Sequence, residues 1–105
     1  MDRSVEINLV AEEYFKDEYG ISRPITTKHK AYAQMNSITR AEFYDAGRNG
    51  LNPEFSLTMF AGDYNGERVV EYDGKTYGVY RTYYARTDTV ELYVERKGGT
   101  NGKAD

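Results

Sequence analysis

Short runs in which apolar and polar side chains alternate residue by residue constrain this chain more than any other feature. A period of two belongs to an extended strand with one buried face. Val5, Ile7, Leu9 and Ala11 alternate with Glu6, Asn8 and Glu12, which predicts a first strand. Between Thr26 and Ser37, the residues Ala31, Ala33 and Met35 fall on one face while Lys30, Tyr32, Gln34 and Asn36 fall on the other, which predicts a second. Phe55, Leu57, Met59 and Ala61 alternate with Ser56, Thr58 and Phe60 in a third strand that ends near Asn65-Gly66. Val69 and Val70 lie in a short fourth strand that meets Asp73-Gly74, a dipeptide suited to a type I′ hairpin because both central residues of that turn need positive φ. Lys75 to Tyr84 returns as the fifth strand, with Tyr77 and Val79 on its buried face. After a turn at Arg86 to Thr89, Val90, Leu92 and Val94 alternate with Glu91, Tyr93 and Glu95 in the sixth.

Two segments break this pattern. Lys16-Asp17-Glu18-Tyr19-Gly20 and Ser22-Arg23-Pro24 are polar and rich in turn residues, and proline cannot donate to a central ladder, so a long exposed loop is predicted there. Downstream, Thr39 reads as a helix N-cap, Glu42 three residues later completes a capping box, and Ile38 and Phe43 are placed to form a hydrophobic staple. A short helix should run from Arg40 to Ala46 and stop at Gly47 or Gly50, where glycine can take the left-handed conformation that closes a helix. The result is an all-β chain: a six-stranded antiparallel barrel or sandwich, with one short helix inserted between strands 2 and 3. Residues 1–96 are read as a single domain, and Lys97 to Asp105, with no large apolar side chain, as a disordered tail.

Composition narrows the chemistry. A net charge of −3 disfavours general binding to polyanions, leaving at most a local basic patch. With no cysteine and one histidine, thiolate chemistry and a metal site within one subunit are excluded as expectations, so neither a catalytic centre nor a cofactor is predicted. Lys28-His29-Lys30 reads as a solvated strand start, and the neighbouring carboxylates Glu12-Glu13 and Asp17-Glu18 as solvated rather than catalytic. Gly98-Gly99-Thr100-Asn101-Gly102-Lys103 lacks the spacing and the following helix of a phosphate loop. Eleven of the chain's aromatics are tyrosines, whose apolar body and polar tip suit half-buried strand faces and wet interfaces. No apolar run is long enough to cross a bilayer, and Met1-Asp2-Arg3-Ser4 lacks the apolar region of a signal peptide, so an intracellular origin is expected.

From Ser37 to Gly99 the sequence resembles the head-closure (head-tail connector, or stopper) proteins of long-tailed bacteriophages. The likeness is carried by Ala41-Glu42-Phe43-Tyr44 and Tyr72-Asp73-Gly74-Lys75-Thr76-Tyr77, followed by Tyr80-Arg81-Thr82-Tyr83 and Glu91-Leu92-Tyr93-Val94-Glu95, in that order and separation. The resemblance implies a β-barrel subunit of the virion, made in the cytoplasm of a bacterial host. It would join a dodecameric ring beneath the portal and adaptor, seal the DNA exit after packaging, and offer a docking surface to tail proteins. It also implies that long loops reach toward the channel, its packaged DNA and neighbouring subunits. Carried onto this chain, the ring or plug contacts fall at Asn36, Arg40, Arg48, Asn49, Asn52 and Glu54, with Asp17, Glu18, Tyr19 and Arg23 as a second loop. An alternative for the first segment is that its helix caps one open end of the barrel through Phe43.

Two other readings stand beside this one. A tail-completion protein would occupy the far side of the same interface. A small barrel binding single-stranded nucleic acid would use exposed aromatics such as Tyr80, Tyr84 and Tyr93, although the acidic composition weighs against it.

Overall fold

A computed structural model of the chain describes residues 4–86 and 88–97. The elements are β1 (Ser4–Lys16), β2 (Ser22–Asn36), α1 (Arg40–Arg48), β3 (Pro53–Phe60), a 3-10 turn at Ala61–Asp63, β4 (Val69–Tyr72), β5 (Lys75–Tyr83) and β6 (Thr89–Arg96). The six strands close into an antiparallel barrel in the order β1-β2-β3-β6-β5-β4, the barrel alternative of the sequence-based reading. Closure leaves the barrel itself without a sheet edge.

The barrel forms because the alternation is real. Ile7, Leu9, Leu57, Val70, Val90, Leu92 and Val94 are fully buried, and all but Val70, which lies in the short fourth strand, occupy an apolar position of the period-two runs. Each such side chain stabilises the fold by about 1.5–3 kcal/mol relative to exposure. Tyr77 closes one side of this core, its ring 4.8 Å from Phe55 in an edge-on contact. The β4–β5 turn is the predicted one, with φ of 54° at Asp73 and 75° at Gly74.

Several boundaries differ from the sequence-based reading. The third strand stops at Phe60, because the chain turns into the 3-10 segment, whose Tyr64 amide bonds to the Ala61 carbonyl at 3.1 Å. The helix extends through Gly47 to Arg48, since its closing geometry sits two residues later. Gly50 donates to the Gly47 carbonyl and Leu51 to the Ala46 carbonyl, both at 3.0 Å, with Gly50 at φ 79°. That pair of bonds is a Schellman closure. Lys97, assigned to the tail, instead donates its amide to Thr76 at 3.0 Å; residues 98–105, the rest of that expected tail, lie outside the described residues.

The largest departure is at Asp17 to Pro24, where no long loop exists. β1 and β2 pair without a register break from Ser4↔Gln34 to Lys16↔Ser22, and a tight turn joins them. β4 covers the other edge of β1 only at Asn8–Val10, and β3 that of β2 only at Gln34–Asn36. Ile7, Ala31 and Ala33 still belong to the barrel core, but every residue from Glu12 to Lys16 and from Ser22 to Lys30 is exposed, and this end of the hairpin projects from the barrel as a two-stranded arm. The radius of gyration reflects it: 15.3 Å, against the roughly 13 Å of a compact domain of this length. Helix α1, nine residues long, is not long and apolar enough to cross a membrane.

Candidate functional site

Two features lie outside the demands of the barrel core: the helix-bearing connection between β2 and β3, and the projecting arm. The first is built around Glu42. Thr39 caps the helix as predicted, its hydroxyl accepting the Glu42 amide at 3.1 Å. The reciprocal half of the capping box does not form, because the Glu42 carboxylate has stronger partners across the fold. It accepts the Tyr80 hydroxyl at 2.8 Å, Arg81 Nη2 at 2.6 Å and Arg81 Nε at 3.4 Å.

A β-bulge delivers both donors. β5 and β6 pair Val79↔Val94 and then Arg81↔Tyr93, so Tyr80 is the extra residue that a bulge inserts. Strict alternation would send Tyr80 and Arg81 to opposite faces, and the bulge turns both toward the helix. Tyr93, opposite Arg81, completes the cluster: the Arg81 guanidinium lies 4.1 Å from its ring centre, and its hydroxyl donates to Glu91 at 2.7 Å. Burial raises the Tyr80 and Tyr93 pKa values, and the acceptors Glu42 and Glu91 raise them further. The hydrogen bond to Glu42 likewise raises that of Arg81. The cluster is therefore a neutral phenol and an ion pair that fasten α1 to the barrel wall.

The sequence-predicted contacts in this connection separate into fastened and presented groups. Asn36 donates to the Thr58 hydroxyl at 3.2 Å, and the Asn52 amide donates to Glu95 at 3.2 Å, so both are anchors. Arg48 pairs with Asp45, and Asn49 caps the helix end while its side chain donates to the Asp45 carbonyl at 3.1 Å. Arg40 is exposed at the helix start, and Glu54 is exposed as the extra residue of a register break between Pro53 and Phe55. Phe43 does not cap the barrel: it is 53% exposed and its ring meets Tyr44 edge-on, while Ala46 is the helix residue that is buried. Because the apolar face of α1 narrows to that one small residue, Phe43 and Tyr44 remain on the surface.

The arm was only half visible in the sequence. Asp17 organises its tip, accepting the Tyr19 amide at 2.9 Å, the Ile21 amide at 3.0 Å and Arg23 Nε at 2.7 Å. Chiefly the Arg23 guanidinium, and then the Ile21 amide, hold the Asp17 carboxyl below the usual carboxylate range. Glu18 and Tyr19 are exposed in this turn, and Arg23 belongs to β2. The arm also displays Tyr14, Phe15, Ile21 and Ile25, none of which the motif reading singled out. Their signal was the apolar pair Tyr14-Phe15 just before the polar stretch, which period-two analysis leaves unassigned.

The basic triplet is exposed but lies within β2, not at its start. Lys28 pairs with Glu71 at 3.1 Å, Lys30 with Glu6 at 3.5 Å, and His29 Nε2 lies 3.2 Å from the Asp63 carbonyl oxygen. Of the three tyrosines suggested as a nucleic-acid platform, Tyr80 and Tyr93 are half-buried in the Glu42 cluster and Tyr84 is exposed. Among the described residues no three histidine or carboxylate side chains converge as a metal site would require. No protein-family model matches the chain, and no characterised protein matches its sequence.

Proposed function

We propose that this chain is a ring-forming structural subunit of the head–tail interface of a long-tailed bacteriophage, where it closes the filled head and receives the tail. The observation that supports this reading best is the division of labour in the molecule. A closed barrel consumes nearly all the buried apolar side chains, while a fastened helix and a projecting ribbon carry exposed aromatics that the fold itself does not use. Exposed aromatic groups on rigid supports are suited to protein contacts. The family resemblance of Ser37 to Gly99 gives that contact role its setting.

In a closed ring each subunit offers two different surfaces, one to each neighbour. The helix connection, with Arg40, Arg48 and Glu54 at its surface, and the arm on β1 and β2 are two such surfaces. Each is small, so the free chain is monomeric at micromolar concentration. The portal and adaptor then raise the local concentration by seating copies side by side. The test is a nonsense mutation in this reading frame, in the genome that encodes it, followed by electron microscopy of the particles. Filled heads that leak DNA and carry no tails support head closure. Heads that retain DNA but lack tails would move the chain to tail completion, and normal virions would end the proposal.

A further inference from the structure

The arm's backbone edges pose a question that the barrel does not answer. Among the described residues β1 has no strand on its outer side beyond Val10, and the same is true of β2 before Gln34, so the hairpin has one free edge on each side. An isolated two-stranded ribbon is marginal in water and gains stability from a third strand.

The two edges complement each other. The β1 edge of the arm is acidic, with Glu12 and Glu13 exposed and in no ion pair among the described residues. The β2 edge is basic, with Lys28 and Lys30, while Arg23 is held by Asp17 at the tip. The Lys28 and Lys30 pairs with Glu71 and Glu6 join side chains that are 54% and 58% exposed on the lysine side, and such surface pairs are weak enough to exchange. Resting on the ring reading above, we infer that neighbouring copies join through these arms: the β1 edge of one copy pairs antiparallel with the β2 edge of the next.

The geometry of the ribbon sets the terms of this pairing. β1 runs outward and β2 returns, so a copy placed beside the first presents its β2 antiparallel to the first copy's β1. The order β1-β2-β1-β2 then repeats around a ring without a change of direction. Opposed residues share a face, so in-register pairs such as Leu9↔His29, Glu13↔Ile25 and Phe15↔Arg23 show that odd-numbered residues of both strands continue the inner face of the barrel. A junction that keeps the inner faces together can set Glu12 opposite Lys28 of the next copy, and the same register sets Phe15 opposite Ile25. It thus pairs opposite charges on one face and exposed apolar groups on the other. Pro24, which lacks an amide, confines the ladder to the arm below its tip.

The chain has no cysteine, so a crosslinking test is clean. Glu12→Cys and Lys28→Cys are prepared as separate proteins, mixed at millimolar concentration and treated with a short bis-maleimide, with Lys75→Cys at the β4–β5 turn as the control site. Sedimentation of the unmodified chain under the same conditions reports association independently. The expected result is a crosslinked dimer several-fold more abundant in the Glu12→Cys and Lys28→Cys mixture than in either variant alone or in mixtures with the control. Glu12→Lys with Glu13→Lys, at exposed positions that do not disturb the barrel, should weaken association severalfold. Association without the arm crosslink overturns the pairing and leaves the ring reading standing. A chain that stays monomeric at every concentration and on portal-containing particles overturns both.

Discussion

Glu42→Gln separates two accounts of how the helix is held. If Glu42 worked chiefly as the second half of a capping box, glutamine would serve nearly as well, since either residue suits that position and their helix propensities are similar. The structure instead gives the carboxylate to Tyr80 and Arg81. A hydrogen bond to a charged group contributes about 1.5–3 kcal/mol, against about 0.5–1.5 for a neutral pair. The Arg81 side chain is 45% exposed, so its ion pair adds no more than about 1 kcal/mol. Glu42→Gln should therefore destabilise the fold by about 1.5 kcal/mol and Glu42→Ala by about 2.5 kcal/mol. For a domain of this size, the glutamine variant should melt roughly 6–12 °C lower. With no tryptophan in the chain, far-ultraviolet circular dichroism in urea is the assay. Tyr80→Phe combined with Glu42→Gln should cost about 1 kcal/mol less than the sum of the single changes, because both remove one bond. A Glu42→Gln variant within about 0.3 kcal/mol of the parent chain would refute the argument and restore the capping box.

Three further outcomes follow from the same geometry. Leu92→Ala, at a fully buried barrel position, should cost about 3 kcal/mol by urea unfolding, whereas Phe43→Ala on the helix surface should stay within about 0.5 kcal/mol; equal effects would mean that the helix caps the core after all. Asp17→Ala should speed hydrogen exchange at the Tyr19 and Ile21 amides without moving the urea midpoint, because it frees the arm tip and leaves the barrel intact. The Asp17 pKa is lowered in the fold, so its ordering of the tip is present above the ordinary carboxylate range and is lost as pH falls below about 4. Tyr64, Tyr77, Tyr80 and Tyr93 have raised pKa values, mainly through burial, so the fold favours their neutral forms. Their stabilisation is complete below pH about 10 and is lost as pH rises through the raised values. Ultraviolet titration should show a late tyrosine phase, part of which moves to lower pH in Glu42→Gln.

The barrel was legible because its signal is local and repeated. Each of Ile7, Leu57, Leu92 and Val94 announces its own burial through its neighbours, and Asp73-Gly74 specifies its turn within two residues. The Glu42 cluster was not legible, since it depends on an extra residue in β5 whose presence is decided by pairing with β6. Nothing around Tyr80 distinguishes a bulge from continued alternation. Glu42 was singled out for a local partner, and the fold gave it distant ones.

The arm failed for a different reason, and that reason bears on what it does. A period of two marks a strand by the contrast between a buried face and a solvated one, but beyond Ala11 neither face of the hairpin is buried among the described residues. Tyr14, Phe15 and Ile25 sit among Glu12, Glu13, Lys16 and Arg23 with no consistent contrast. Such a ribbon gains its missing contacts only from outside the single chain, which is the role the proposed arm pairing gives it. Of these residues, Glu12, Phe15 and Ile25 are the ones that the proposed pairing sets against the next copy. If the arms pair as proposed, hydrogen exchange of the arm is fast in the monomer and slow in the associated form, and equal protection in the two states would break that link.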